Sequence, residues 1–207
     1  MPHRVTLATR ANAVVLTRVL LAFAVMALLY RGRHLYLGAC ALTVTAIWMD
    51  GLDGWVARRF GEVSRVGAVV DILTDRVVEL TYWIGFAALG WVPVWVPLVV
   101  AVRGLLVDGA RALALERGLT AFGPTTMMTT RVGRTLVSSR ASRNLYGAAK
   151  LLAFSLLILA SAAGVAPALR AALEPVAYAS VYLAVGLCVL RGIPVLLEAR
   201  RMLEQGA

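Results

Sequence analysis

Six apolar runs of 15 to 24 residues, parted by short links that carry arginine, fill most of the sequence between Asn12 and Leu197. They lie at about 12–30, 35–49, 66–89, 98–115, 145–163 and 176–197. About 20 apolar residues is the length an α-helix needs to cross the hydrocarbon core of a bilayer, and a helix satisfies its own backbone groups where no water can. Composition closes the alternative of a soluble globule. The chain of 207 residues is 60% hydrophobic and only 15% charged, with a mean hydropathy of +0.80, so it has too little polar surface to cover such a body. The expected fold class is therefore an all-α integral membrane protein with six transmembrane helices, a single membrane domain over 1–207. A short basic interfacial segment at 1–11 precedes it. The second run is short, so its helix is expected to continue through Asp50 and Asp53 toward Ala57. A turn with interfacial tryptophans is expected at Gly90–Pro97, and a cytoplasmic loop with some helix at 116–144. A connection at 165–172 crosses Pro167, and the sixth run should kink near Pro194.

The net charge of +10 does not point to nucleic acid, because the basic residues are scattered at the ends of apolar runs. Six spans put both termini on one side. That side holds Arg4, Arg10, Arg58, Arg59, Arg65, Arg117, Arg131, Arg134, Arg140, Arg143, Arg200 and Arg201, against Arg31, Arg33 and Arg170 on the other. The positive-inside rule then makes the arginine-rich side cytoplasmic. The expectation is a multi-pass protein of the cell (plasma) membrane, with anionic lipid headgroups as neighbours. Cys40 and Cys188 sit inside apolar runs without metal-site spacing and read as inert thiols. His3 and His34 flank runs and read as solvated, and no cleavable leader is expected.

Acidic residues are where the chain is unusual. It has five aspartates, and four of them (Asp50, Asp53, Asp71, Asp75) fall within 26 residues. Carboxylates in or beside a bilayer are costly and mark functional sites. Asp50 and Asp53 are i,i+3 and Asp71 and Asp75 are i,i+4, so each pair shares a helix face. If the two helices are neighbours, four carboxylates converge, and they cannot all ionise without cations between them. Hard oxygen donors suit Mg²⁺ or Mn²⁺, and four of them can hold two ions, an arrangement that clamps phosphate oxygens. Gly51, Gly54 and Gly67 leave room for a nucleotide backbone to approach, and Arg58 can pair with a phosphate or an aspartate. Two other readings stay open on the residues alone: structural ion pairs with Arg58, Arg65 and Arg76, or an ion- or proton-coupled transporter. A transporter would spread acidic groups over several spans, whereas here they concentrate at one end of two.

The segment Asp50–Asp75 resembles the signature of the CDP-alcohol phosphotransferases (CDP-alcohol phosphatidyltransferases), D-x2-D-G-x2-A-R-x8-G-x3-D-x3-D. Asp50, Asp53, Gly54, Ala57, Arg58, Gly67, Asp71 and Asp75 fill all eight fixed positions. The resemblance covers an eighth of the chain, with a similar plan of apolar runs around it. It implies an enzyme that binds a CDP-linked lipid such as CDP-diacylglycerol and lets an alcohol attack the β-phosphorus, with CMP as the leaving group. It implies that Asp50, Asp53, Asp71 and Asp75 bind two Mg²⁺ or Mn²⁺ ions and that Asp75 is also the general base. It implies nucleotide contacts from Gly54, Ala57, Arg58, Gly67 and, outside the fixed signature, Ser64. Asn12 and Arg18 resemble the family's N-x5-R element near the nucleotide, with Ala11 where a proline often stands. A homodimer is implied as well. An unbroken signature argues against a catalytically dead scaffold.

The acceptor alcohol is less constrained. Arg103 to Arg111 resembles the R-x5-G-x-R segment of phosphatidylglycerophosphate synthases, and Arg103, Arg111, Arg143 and Lys150 are candidates for holding an anionic acceptor such as glycerol 3-phosphate. Gly104 stands where those synthases often carry glutamate, and Gly147-Ala-Ala-Lys150-Leu replaces their G-K-x-K-T element. Inositol phosphate, serine and phosphatidylglycerol are the alternatives. Glu79 reads as a structural partner of Arg76.

Overall fold

The computed structural model describes residues 10–50, 52, 56, 59–60, 65–120 and 126–205. The interfacial segment expected at 1–11 thus lies almost wholly outside the described residues. Six helices of 13 to 39 residues dominate: α1 (Arg10–Arg31), α2 (Tyr36–Trp48), α3 (Arg65–Ala88), α4 (Trp95–Glu116), α5 (Arg140–Ser161) and α6 (Pro167–Gln205). No strand occurs among the described residues; the one extended contact is an isolated bridge between Thr120 and Thr126.

Among the described residues, three helices are long and apolar enough to cross a membrane: Asn12–Arg31 in α1, Arg140–Ser161 (α5) and Pro167–Glu204 in α6. The other three fall short for different reasons. α2 has 13 residues, α3 carries Asp71, Asp75, Arg76 and Glu79, and α4 carries Arg103, Asp108 and Arg111.

The helices turn apolar residues outward. On α1, Leu16, Leu20, Phe23 and Tyr30 are exposed, while Val15, Arg18, Ala22, Val25, Met26 and Leu29 are buried at helical spacing. A soluble helix would place Arg18 on the other stripe. The inversion is consistent with a membrane protein, since a bilayer rewards apolar surface outside and polar groups inside.

The chain divides into two compact units, Met1–Val92 with Phe154–Ala177 and Pro93–Ala153 with Tyr178–Ala207. In the first, α1 packs on α2 and α3. The α1–α3 contact is close: a methyl group on Gly85 would stand 2.2 Å from Met26 Sδ. Its core is aromatic, with the Tyr82 and Phe154 rings stacked at 4.7 Å and Trp83 edge-on to Phe154 at 4.8 Å. α3 ends because Gly90 takes φ 74°. Gly90 N–H donates to Ala87 O and Trp91 N–H to Phe86 O, while the Trp91 and Phe86 rings stack at 5.4 Å. That is a Schellman stop with its hydrophobic contact, and it sets the start of the expected Gly90–Pro97 turn.

In the second unit, Val107, Ala110, Ala114, Met127, Met128, Val137, Val195 and Ala199 form a core. Glu198, buried on α6, holds the segment before α5: it accepts from Thr129 N–H at 3.1 Å, Thr129 Oγ1 at 2.7 Å and Thr130 N–H at 3.3 Å. Thr130 in turn caps a single α-turn, Arg131–Gly133, and a π-turn follows at Arg134–Ser138.

Several boundaries differ from expectation: α2 ends at Trp48, short of Asp50 and Asp53, α4 starts at Trp95, not 98, and α6 runs on to Gln205. α5 starts at Arg140, not 145, because Ser139 Oγ accepts from Ser142 N–H at 3.2 Å and caps the helix ahead of the apolar run. α6 starts at Pro167, not 176; proline suits the first helical position, where its missing N–H has no partner to lose. The expected connection at 165–172 is therefore largely helix. α6 stays helical through Pro175 and Pro194.

Candidate functional site

Arg18 organises the charged centre of the first unit. Its side chain is only 4% exposed, and burial of a guanidinium is tolerable only with partners. Nη2 donates to Asp50 Oδ1 and to Asp75 Oδ1, the latter at 2.7 Å, and Nη1 lies 3.7 Å from Asp71 Oδ1. The three carboxylates are 52%, 44% and 46% exposed respectively, so each offers further oxygen lone pairs away from the arginine. Gly67, Asp71 and Asp75 recur every four residues and share one face of α3. Asp50 follows α2 by two residues, so three separate stretches of chain meet at one guanidinium. Among the described residues, three carboxylates thus face this one guanidinium.

These residues fit a hard divalent cation by donor chemistry, since all the groups are carboxylate oxygens with lone pairs to spare. Among the described residues, no group of three His, Cys, Asp or Glu could hold a metal as it stands. Asp53, the fourth expected ligand, lies outside the described residues, as do Gly54, Ala57, Arg58 and Ser64. Asn12 is half-buried in the first turn of α1, about 9 Å along the helix axis from Arg18. Glu79, deeper on α3, is buried and paired with Arg76 at 3.2 Å.

The second unit holds a local group of cations. Arg191 is a buried arginine on α6. It donates to Ser142 Oγ and, at 3.5 Å, to Val137 O. Its guanidinium carbon lies 5.8 Å from the Tyr146 ring centre, and Lys150 Nζ stands 4.6 Å from the same centre. Arg103 and Arg143 are near enough to repel the Arg191 charge, and the Arg103 stem passes over Gly192, where an added methyl would stand 3.0 Å from its Cγ. Of the expected acceptor residues, the structure groups Arg103, Arg143 and Lys150 around Arg191 and Tyr146. Arg111 is engaged with Asp108, one turn before it, at 3.6 Å.

Sequence reasoning passed over Arg191 and gave Arg18 no part among the aspartates. Each is a lone arginine within an apolar run, and that isolation was the available signal.

The sequence from 8 to 190 matches the CDP-alcohol phosphatidyltransferase family, and the chain belongs to that family. It is similar to a probable phosphatidylglycerophosphate synthase of Mycobacterium tuberculosis, 33% identical over 120 residues, which are 56% of this chain and 57% of the relative. It is 35% identical over 85 residues to a CDP-diacylglycerol–glycerol-3-phosphate 3-phosphatidyltransferase of Mycoplasma pneumoniae, covering 41% and 37% of the two chains. It is 42% identical over 66 residues to CDP-diacylglycerol–inositol 3-phosphatidyltransferase 1 of Arabidopsis thaliana, covering 32% and 28%. The chain thus spans little more than half the length of the first of these relatives and less of the others.

Proposed function

We propose that this chain is a membrane enzyme that moves the phosphatidyl group of CDP-diacylglycerol onto glycerol 3-phosphate and releases CMP. The observation that carries the reading is the convergence of Asp50, just past α2, and of Asp71 and Asp75 on α3 at one buried cation, within the unbroken family signature. Two Mg²⁺ or Mn²⁺ ions held by Asp50, Asp53, Asp71 and Asp75 would polarise the pyrophosphate oxygens and offset charge as the bond to CMP breaks. Gly54, Ala57 and Gly67 leave room for the nucleotide, and Arg58, Ser64 and Asn12 hold it. Asp75 accepts the proton of the acceptor hydroxyl; that oxygen bonds to the β-phosphorus, and the electron pair of the broken P–O bond leaves with CMP.

The acceptor assignment draws on the second unit. Several cations collected about Arg191 repel one another, and a doubly charged phosphate relieves that repulsion. Glycerol 3-phosphate and inositol phosphate both supply one, whereas serine does not. The relatives named for glycerol 3-phosphate favour the first. Six spans in the plasma membrane, with the aspartates facing the cytoplasm and two copies per assembly, complete the reading. The arginine asymmetry and the outward apolar faces support it.

The test is CMP release by the purified chain with CDP-diacylglycerol and Mg²⁺, offering glycerol 3-phosphate, inositol 1-phosphate, inositol, serine or phosphatidylglycerol one at a time. Release with glycerol 3-phosphate alone, abolished by EDTA, is the expected result. Release with another acceptor reassigns the substrate, and no release with any of them removes the catalytic reading.

A further inference from the structure

A buried guanidinium at the centre of carboxylates that are expected to bind metal poses a physical problem. Arg18 donates to the same two carboxylates, Asp50 and Asp75, that an incoming ion would share, and two positive centres within a few ångströms repel strongly, even at a protein-like dielectric. Without Arg18, however, three carboxylates brought together by α1, α2 and α3 would repel one another.

We propose that Arg18 is a built-in placeholder for the divalent cation: it holds Asp50, Asp71 and Asp75 together in the metal-free protein and competes with the ion for Asp50 and Asp75. This rests on the metal assignment above. Its geometry is particular to Arg18. The side chain is on the packed stripe of α1, 4% exposed, so it stays beside the carboxylates. Each carboxylate is about half exposed, so an ion can arrive from the open side while the arginine lies beneath. A planar guanidinium bridges two carboxylates through one nitrogen and reaches a third with the other, a span that the point charge of a lysine does not reproduce. Arg18 is thus a positioning residue. Arginine and ion are coupled by linkage: whatever favours one at these oxygens disfavours the other.

The experiment uses the full chain in detergent micelles and compares Arg18→Gln and Arg18→Lys with the unsubstituted protein. The readouts are thermal unfolding in EDTA and in Mg²⁺, and Mn²⁺ binding by electron paramagnetic resonance. Arg18→Gln should lower the unfolding midpoint in EDTA, enlarge the stabilisation by Mg²⁺, and bind Mn²⁺ about tenfold more tightly, since a competing charge is gone. Arg18→Lys should keep the Mn²⁺ affinity near that of the unsubstituted chain while losing part of the midpoint in EDTA. If Arg18→Gln unfolds on extraction in EDTA, recovery of folded protein by Mg²⁺ during extraction is the expected sign of exchange, and failure of that rescue counts against it. Equal destabilisation with and without Mg²⁺, or weaker Mn²⁺ binding by Arg18→Gln, would make Arg18 a fixed strut and overturn the exchange alone. Absence of Mn²⁺ binding by the unsubstituted chain would overturn both the exchange and the metal assignment.

Discussion

Arg18 and Arg191 are both buried arginines within apolar stretches of their helices, yet their immediate surroundings differ in sign. Arg18 is outnumbered by carboxylates. Arg191 has other cations near it, and it donates to a hydroxyl and a carbonyl. In a low-dielectric setting neither imbalance is cheap. The difference teaches that a buried charge is best read by its immediate neighbours: among the described residues, carboxylates gather at Arg18 and further cations at Arg191. Under the proposed function, the metal ions answer the first group and the phosphate of the acceptor the second.

Substitutions can break or sharpen that contrast. The largest effect is expected at Asp75. Asp75→Asn removes the proposed base, and turnover should fall by about 10²–10⁴-fold while CDP-diacylglycerol binding, measured separately, is largely retained. Turnover near that of the unsubstituted enzyme would end the general-base assignment. Next comes Arg191→Gln, which should raise KM for glycerol 3-phosphate by about 10- to 100-fold and change kcat much less, because it removes binding charge rather than chemistry. A fall in kcat at unchanged KM would dissolve the proposed division of labour. Arg111→Gln should have the smallest effect, within about threefold on either constant, because Arg111 is drawn to Asp108 in an i,i+3 pair. A loss as large as that of Arg191→Gln would return Arg111 to the acceptor site.

Much of this was legible in the sequence because apolar runs and charged residues obey separate rules. The limits of α1 and α3 follow the runs to within a residue or two. The i,i+4 spacing of Asp71 and Asp75 fixed their common face before any coordinates. The errors have local causes. Pro167 reads as a breaker in a string of letters, but at the first position of a helix it is a good starter, and α6 gained nine residues that way. Ser139 is an ordinary polar residue until its hydroxyl is seen on Ser142 N–H, and α5 gained five. Arg18 and Arg191 were harder. Hydropathy averages a single arginine away, and only the packing of α1 on α3, or of Ser142 below Arg191, gives either one its partners. The residues between Asp50 and Arg65 that lie outside the described set, Asp53 and Arg58 among them, keep their roles as proposals.

The grouping around Tyr146 also bears on how the protein can be followed in solution. All other basic side chains are arginine or histidine, so Lys150, 4.6 Å from that ring, carries the chain's one side-chain primary amine. An acylating reagent therefore has a single side-chain target, apart from the terminal amine, and it lies within the cationic group. A mass increment on one peptide reads the accessibility of that group directly, and shielding by an added solute registers as slower labelling. The near-exclusive use of arginine elsewhere turns this lysine into a ready-made chemical reporter.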